Sequence, residues 1–195
     1  MSNQKACFGL IGLGYWGQNL LRNFCELGVL GMACDANPSV IKEKSQKYPQ
    51  PKYTTSVDDV LSSPDIRAVV IAAPAVAHYS LVKRAIIAGK DVFVEKPLAL
   101  SMSEGKELVE LAEKNNKVLL VGHLLEYHPA VTKLKELVDN GELGKINYIY
   151  SNRLNLGRFR TEENILWSFA PHDISIILLL LGEMPQEISA HGGYY

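Results

Sequence analysis

The chain has 195 residues, 47% hydrophobic and 21% charged, with a net charge of -1. That composition belongs to a folded globular protein and excludes a disordered or fibrous one. A near-neutral chain is also a poor general binder of nucleic-acid phosphates. The longest apolar run, over 176–181, falls far short of the roughly 20 residues of a membrane span. The opening MSNQKACFGLIG has no signal-peptide architecture, so a cytoplasmic location away from membranes is expected. Cys7, Cys25 and Cys34 share no CxxC spacing and sit in apolar segments, where a thiol behaves as a small hydrophobe.

In chain order, the apolar pattern predicts a strand over 6–11 and a helix over 15–27, with apolar residues at 16, 20, 21, 24 and 27. A second strand follows over 29–35, then a polar helix over 39–47 and a short helix over 58–61. Residues 68–73 are apolar throughout, as in a strand buried on both faces. A helix over 77–88 ends at Gly89, and a strand over 92–95 follows. Ser101 opens the next helix with Glu104 three residues on, the signature of a capping box. A strand over 118–121 and a helix over 129–140, stopped by Gly141, complete the series. Such alternation predicts an α/β fold, a doubly wound parallel sheet with right-handed crossovers, filling domain 1–122. Beyond it, a strand over 146–154, an apolar helix over 172–181 and the start of a strand over 187–190 read as an incomplete second α/β domain at 123–195.

Gly12-Leu-Gly14-Tyr15-Trp16-Gly17 follows a strand and opens a helix, and Asp35 ends the next strand. This is the context a GxGxxG loop needs to bind a dinucleotide in a Rossmann fold. Glycines permit the tight turn and let the backbone approach a pyrophosphate at a helix N-terminus. Asp35 would accept from the ribose hydroxyls and repel a 2′-phosphate, which favours NAD over NADP.

Further along, Ala73-Pro74 with His78, Glu95-Lys96-Pro97-Leu98 and Gly122-His123 resemble the Gfo/Idh/MocA family of sugar and inositol dehydrogenases. The texture of GHLLEYHPAV and WSFAPHDIS is similar to the branch acting on UDP-N-acetylglucosamine-type sugar nucleotides, commonly at C3. The resemblance implies that Ala73, Pro74, His78, Glu95, Lys96, Pro97 and His123 border the cofactor, with Lys96 between nicotinamide and substrate. An ammonium there stabilises a developing alkoxide. Pro97, often a cis residue in this family, would hold Lys96 in place. His172 matches the family histidine at the start of the apolar helix and is the natural general base. Its bland alternative is a capping role.

One departure stands out. The family usually carries an aspartate four residues before this histidine, where this chain has Ser168. Asp173 either supplies the missing carboxylate or simply favours a helix N-terminus. His78 is either a crevice residue or a polar residue at a helix start, and Tyr127 either lines the sugar pocket or belongs to the core. Arg153, Arg158 and Arg160 form either a donor set for a substrate diphosphate or a solvated loop. His123 and His128 lack a third ligand, so no metal is expected. The reading is therefore an NAD-dependent oxidoreductase taking a small sugar or sugar nucleotide and assembling as a homo-oligomer through the second-domain sheet. The alternative is a nicotinamide-binding module or truncated, inactive family member.

Overall fold

A computed structural model describes residues 6–154 and 164–193. Six parallel strands form one sheet: β1 (Phe8–Ile11), β2 (Leu30–Cys34), β3 (Lys52–Thr54), β4 (Ala68–Ile71), β5 (Asp91–Val94) and β6 (Leu119–Val121). Their order is β3-β2-β1-β4-β5-β6, so the winding reverses between β1 and β4. In open α/β sheets the crevice at the carboxyl ends of such a pair is where ligands bind.

The helices between the strands are α1 (Gly17–Glu26), α2 (Pro38–Lys47), α3 (Val57–Ser62), α4 (Ala75–Ile87) and α5 (Met102–Lys114). Successive side chains of a strand point to opposite faces, which sorts the core into two layers. Leu10, Ala33 and Val70 bury one face together with Leu21 of α1. Ile11, Val69, Ile71, Val92 and Val94 bury the other with Val82, Ala85 and Ile86 of α4 and Leu108 of α5. Ser101 caps α5 by accepting from the Glu104 N–H, as the capping box predicts. Asn37 caps α2 by accepting from the Ser39 N–H, and Pro38 takes its first position.

The chain divides into two compact units, with the boundary between Gly122 and His123. The second holds a short 3-10 turn (Leu124–Tyr127), α6 (Pro129–Asp139) and α7 (Ile165–Leu181). Here the structure corrects three expectations. The segment 146–154 pairs with no strand among the described residues, and neither does 187–190. Alternation shows that a segment has two faces but not that it has a ladder partner, and Tyr148, Tyr150, Leu154 and Ile188 all stand exposed. The third concerns the apolar helix, which starts seven residues earlier than expected. Asn164 caps it by accepting from the Trp167 N–H, and it runs straight through Pro171. The expected start at 172 followed the apolar run, whereas the capping residue lies upstream of it. His172 and Asp173 are consequently mid-helix residues, so neither caps the helix nor sits at its positive end. No helix among the described residues is long and apolar enough to cross a membrane.

Candidate active site

The glycine loop takes the form its sequence predicts. Gly12 has φ +94°, and a Cβ there would lie 2.6 Å from the Ala72 carbonyl oxygen. A Cβ on Gly17 would come within 2.0 Å of the Gly12 oxygen. These two glycines are demanded by the protein's own backbone. Gly14 is different, because a Cβ there would meet nothing within 4 Å. The open side of the loop is therefore at Gly14. Helix α1 begins immediately beyond, with no side-chain cap on its N-terminus and no acidic residue in its first turn. An N-terminus with no side-chain cap, next to the open side of the loop, suits a pyrophosphate.

Asp35 follows β2, and its two carboxylate oxygens accept from the backbone N–H of Leu13 at 2.8 Å and of Asn37 at 2.9 Å. The first of these bonds ties the acid to the glycine loop itself. Each oxygen keeps a further lone pair for a ribose hydroxyl. The residues present thus fit a dinucleotide carrying a free 2′-hydroxyl.

Glu95 and Lys96 follow β5 at the same carboxyl edge of the sheet. Trp16 donates its indole N–H to Glu95 Oε1 at 2.7 Å. Tyr15 beside it is exposed, and Trp16 partly so. Gly122, after β6, packs so closely that a Cβ would lie 3.2 Å from the Glu95 carboxyl group. Burial raises the Glu95 carboxyl above the ordinary glutamate value, while the Trp16 N–H, Lys96 and the His78 ring oppose that rise. The peptide bond between Lys96 and Pro97 is cis, the isomer the resemblance implied.

His78, in the first turn of α4, is fully buried. Its Nδ1 lies 2.6 Å from the Pro97 carbonyl oxygen and its Nε2 lies 2.9 Å from the Ala73 carbonyl oxygen. Both ring nitrogens thus face backbone carbonyls of the loops that follow β4 and β5.

In the second unit, Arg153 and Asp173 form a two-pronged ion pair. The Arg153 Nε donates to Asp173 Oδ2 at 2.7 Å and a terminal guanidinium nitrogen to Oδ1 at 2.9 Å, with the Ser151 hydroxyl adding a third bond. Arg153 holds the Asp173 carboxyl below its ordinary value. Each of these two expected substrate residues thus has the other as its partner. Tyr127 is exposed, so the core alternative for it falls. His123 Nδ1 is buried with no hydrogen bond among the described residues. His128 caps α6 by accepting from the Ala130 N–H. Ser168 is buried in α7. Arg158 and Arg160 lie outside the described residues.

The Trp16–Glu95 bond had no signal in the sequence, since nothing about an indole and a carboxylate so far apart in the chain announces a contact. Gly122 did leave one: a glycine at a strand end often marks a close approach.

Known proteins share sequence and fold with this chain. Over 98% of this chain and 58% of its own length, scyllo-inositol 2-dehydrogenase (NAD(+)) of Bacillus subtilis is 29% identical. The UDP-N-acetylglucosamine 3-dehydrogenase of Acidithiobacillus ferrooxidans is 28% identical over 94% of this chain and 56% of its own. Among solved structures, the myo-inositol 2-dehydrogenase of Lactobacillus plantarum superposes with a TM-score of 0.69 at 28% identity, covering 73% of this chain and 43% of that one. This chain spans about half the length of the curated relatives it matches. Residues 7–123 match the oxidoreductase family with the NAD-binding Rossmann fold, and the chain belongs to that Gfo/Idh/MocA family.

Proposed function

We propose that this chain serves an NAD-dependent dehydrogenase that oxidises a secondary hydroxyl of a sugar or polyol, with C3 of a UDP-N-acetylglucosamine-type sugar nucleotide as the specific substrate position. The observation that carries the reading is the 2.7 Å bond from Trp16 to Glu95. It joins the loop suited to a pyrophosphate to the segment bearing Lys96, at the carboxyl edge where the sheet reverses its winding.

Bound NAD would supply the hydride acceptor. Gly12, Gly14 and Gly17 present backbone to the pyrophosphate, and Asp35 accepts from the ribose hydroxyls. The Lys96 ammonium stabilises negative charge on the substrate oxygen as its proton departs. His172 is assigned as the base that takes this proton, a role resting on the family resemblance. Because Asp173 is engaged by Arg153, it is not assigned as the carboxylate that replaces the family aspartate at Ser168.

The buried Ser168 favours a second reading, in which the chain binds nicotinamide without turnover. Titration with NADH and NADPH, followed by fluorescence, tests the cofactor part. Turnover of UDP-N-acetylglucosamine and of scyllo-inositol by native protein and by Lys96→Ala tests the rest. NADH preference with turnover that Lys96→Ala abolishes is the expected result. Tight NADH binding with no turnover of either substrate selects the second reading, and failure to bind either nucleotide overturns both.

A further inference from the structure

We propose that His78 is a positioning residue that donates from both ring nitrogens and so holds the Lys96–Pro97 turn against the end of β4. The inference rests on the reading above only in giving Lys96 a role at the reacting carbon.

The geometry is specific. A neutral imidazole has one N–H and one lone pair, whereas the imidazolium has two N–H donors and no acceptor. His78 faces two acceptors and no donor: the Pro97 carbonyl at 2.6 Å and the Ala73 carbonyl at 2.9 Å. A neutral ring would set a lone pair against one of these oxygens in a site with almost no water, since His78 is 1% exposed. An unmade bond in such a place is costly. The doubly protonated ring satisfies both contacts. A counter-charge becomes available once Glu95 ionises, because this buried carboxyl follows β5 within Coulomb range of the ring.

The two carbonyls belong to the loops that follow β4 and β5, which are neighbours in the sheet. His78 thus ties together the two backbone segments that border Lys96. Helix α4 supplies the anchor, because its buried residues Leu81, Val82, Ala85 and Ile86 fix its first turn against the sheet. A charged double donor makes this a stiffer link than two neutral hydrogen bonds. Displacing a catalytic group by about 1 Å costs on the order of a hundredfold in rate, which is the selective value of such a link.

The test needs neither cofactor nor substrate. Two-bond proton–nitrogen spectra of the ring, assigned by the signal that vanishes in His78→Gln, report whether each nitrogen carries a proton near neutral pH. Both nitrogens protonated is the expected result; a neutral tautomer overturns the proposal. Amide exchange of His78→Gln provides the second measurement. Faster exchange confined to residues 95–98 and the β4–α4 loop, with the strands still protected, is expected. Loss of protection across the whole sheet, or no change anywhere, overturns the positioning role. Should Lys96→Ala retain full turnover, the dehydrogenase mechanism fails, yet these two readouts are unaffected, so the two failures are told apart.

Discussion

The indole N–H of Trp16 donates to Glu95 Oε1 at 2.7 Å, linking the glycine loop after β1 to the residue that follows β5. Glu95 is buried, and its carboxyl titrates above the ordinary glutamate value because desolvation outweighs its partners. The fold therefore favours the protonated acid. That contribution is whole below the unfolded value and is lost as pH rises through the raised folded value. Glu95→Gln keeps an acceptor for Trp16 and removes the titration. Its stability relative to the native protein is expected to climb as pH rises from about 4 towards neutrality, read from thermal unfolding. Parallel curves for the two proteins would refute a buried ionising carboxyl.

Gly14 and Gly17 separate folding from binding. Gly17→Ala drives a methyl group against the Gly12 carbonyl and is expected to destabilise the fold itself. In Gly14→Ala the methyl meets only open space, so unfolding should shift by no more than about 1 kcal/mol. NADH affinity of that variant should nonetheless fall at least tenfold if the pyrophosphate lies against the loop there. Unchanged affinity in a fluorescence titration would place the pyrophosphate elsewhere.

Asp35 fastens the loop and reads the ribose. Asp35→Ala removes two bonds from backbone N–H groups to a carboxylate, each worth about 1.5–3 kcal/mol. NADH binding is expected to weaken by about ten- to a hundredfold, and the preference for NADH over NADPH to shrink, because the charge that repels a 2′-phosphate is gone. Retained discrimination would assign that selectivity to another residue.

The Arg153–Asp173 pair is partly exposed, with side-chain exposures of 33% and 24%. Its contribution is accordingly about 1 kcal/mol or less. Arg153 lowers the Asp173 carboxyl in the folded state, so this contribution is present above the unfolded aspartate value and lost as pH falls through the lowered one. Arg153→Met should be less stable than the native protein near neutrality, and the gap should close below about pH 4. A gap that persists in acid would trace the loss to packing of the arginine stem instead.

The sequence by itself determined the doubly wound sheet, because buried parallel strands read as short apolar runs and the intervening helices carry their own caps at Ser101 and glycine stops such as Gly89. It also determined the dinucleotide loop, since Gly12 and Gly17 are required by backbone geometry that no other residue fits. Local pattern carries such information because both period and turn chemistry act over a few residues. It missed β3, whose three residues are too few to show a period. It also placed the start of α7 at His172, where the apolar run begins, because the Asn164 cap lies well upstream of that run. Only the tertiary structure decided that Glu95 receives Trp16, that His78 faces two backbone carbonyls, and that Asp173 is engaged by Arg153. Each of these joins residues distant in sequence, and burial and direction, not residue type, choose the partner.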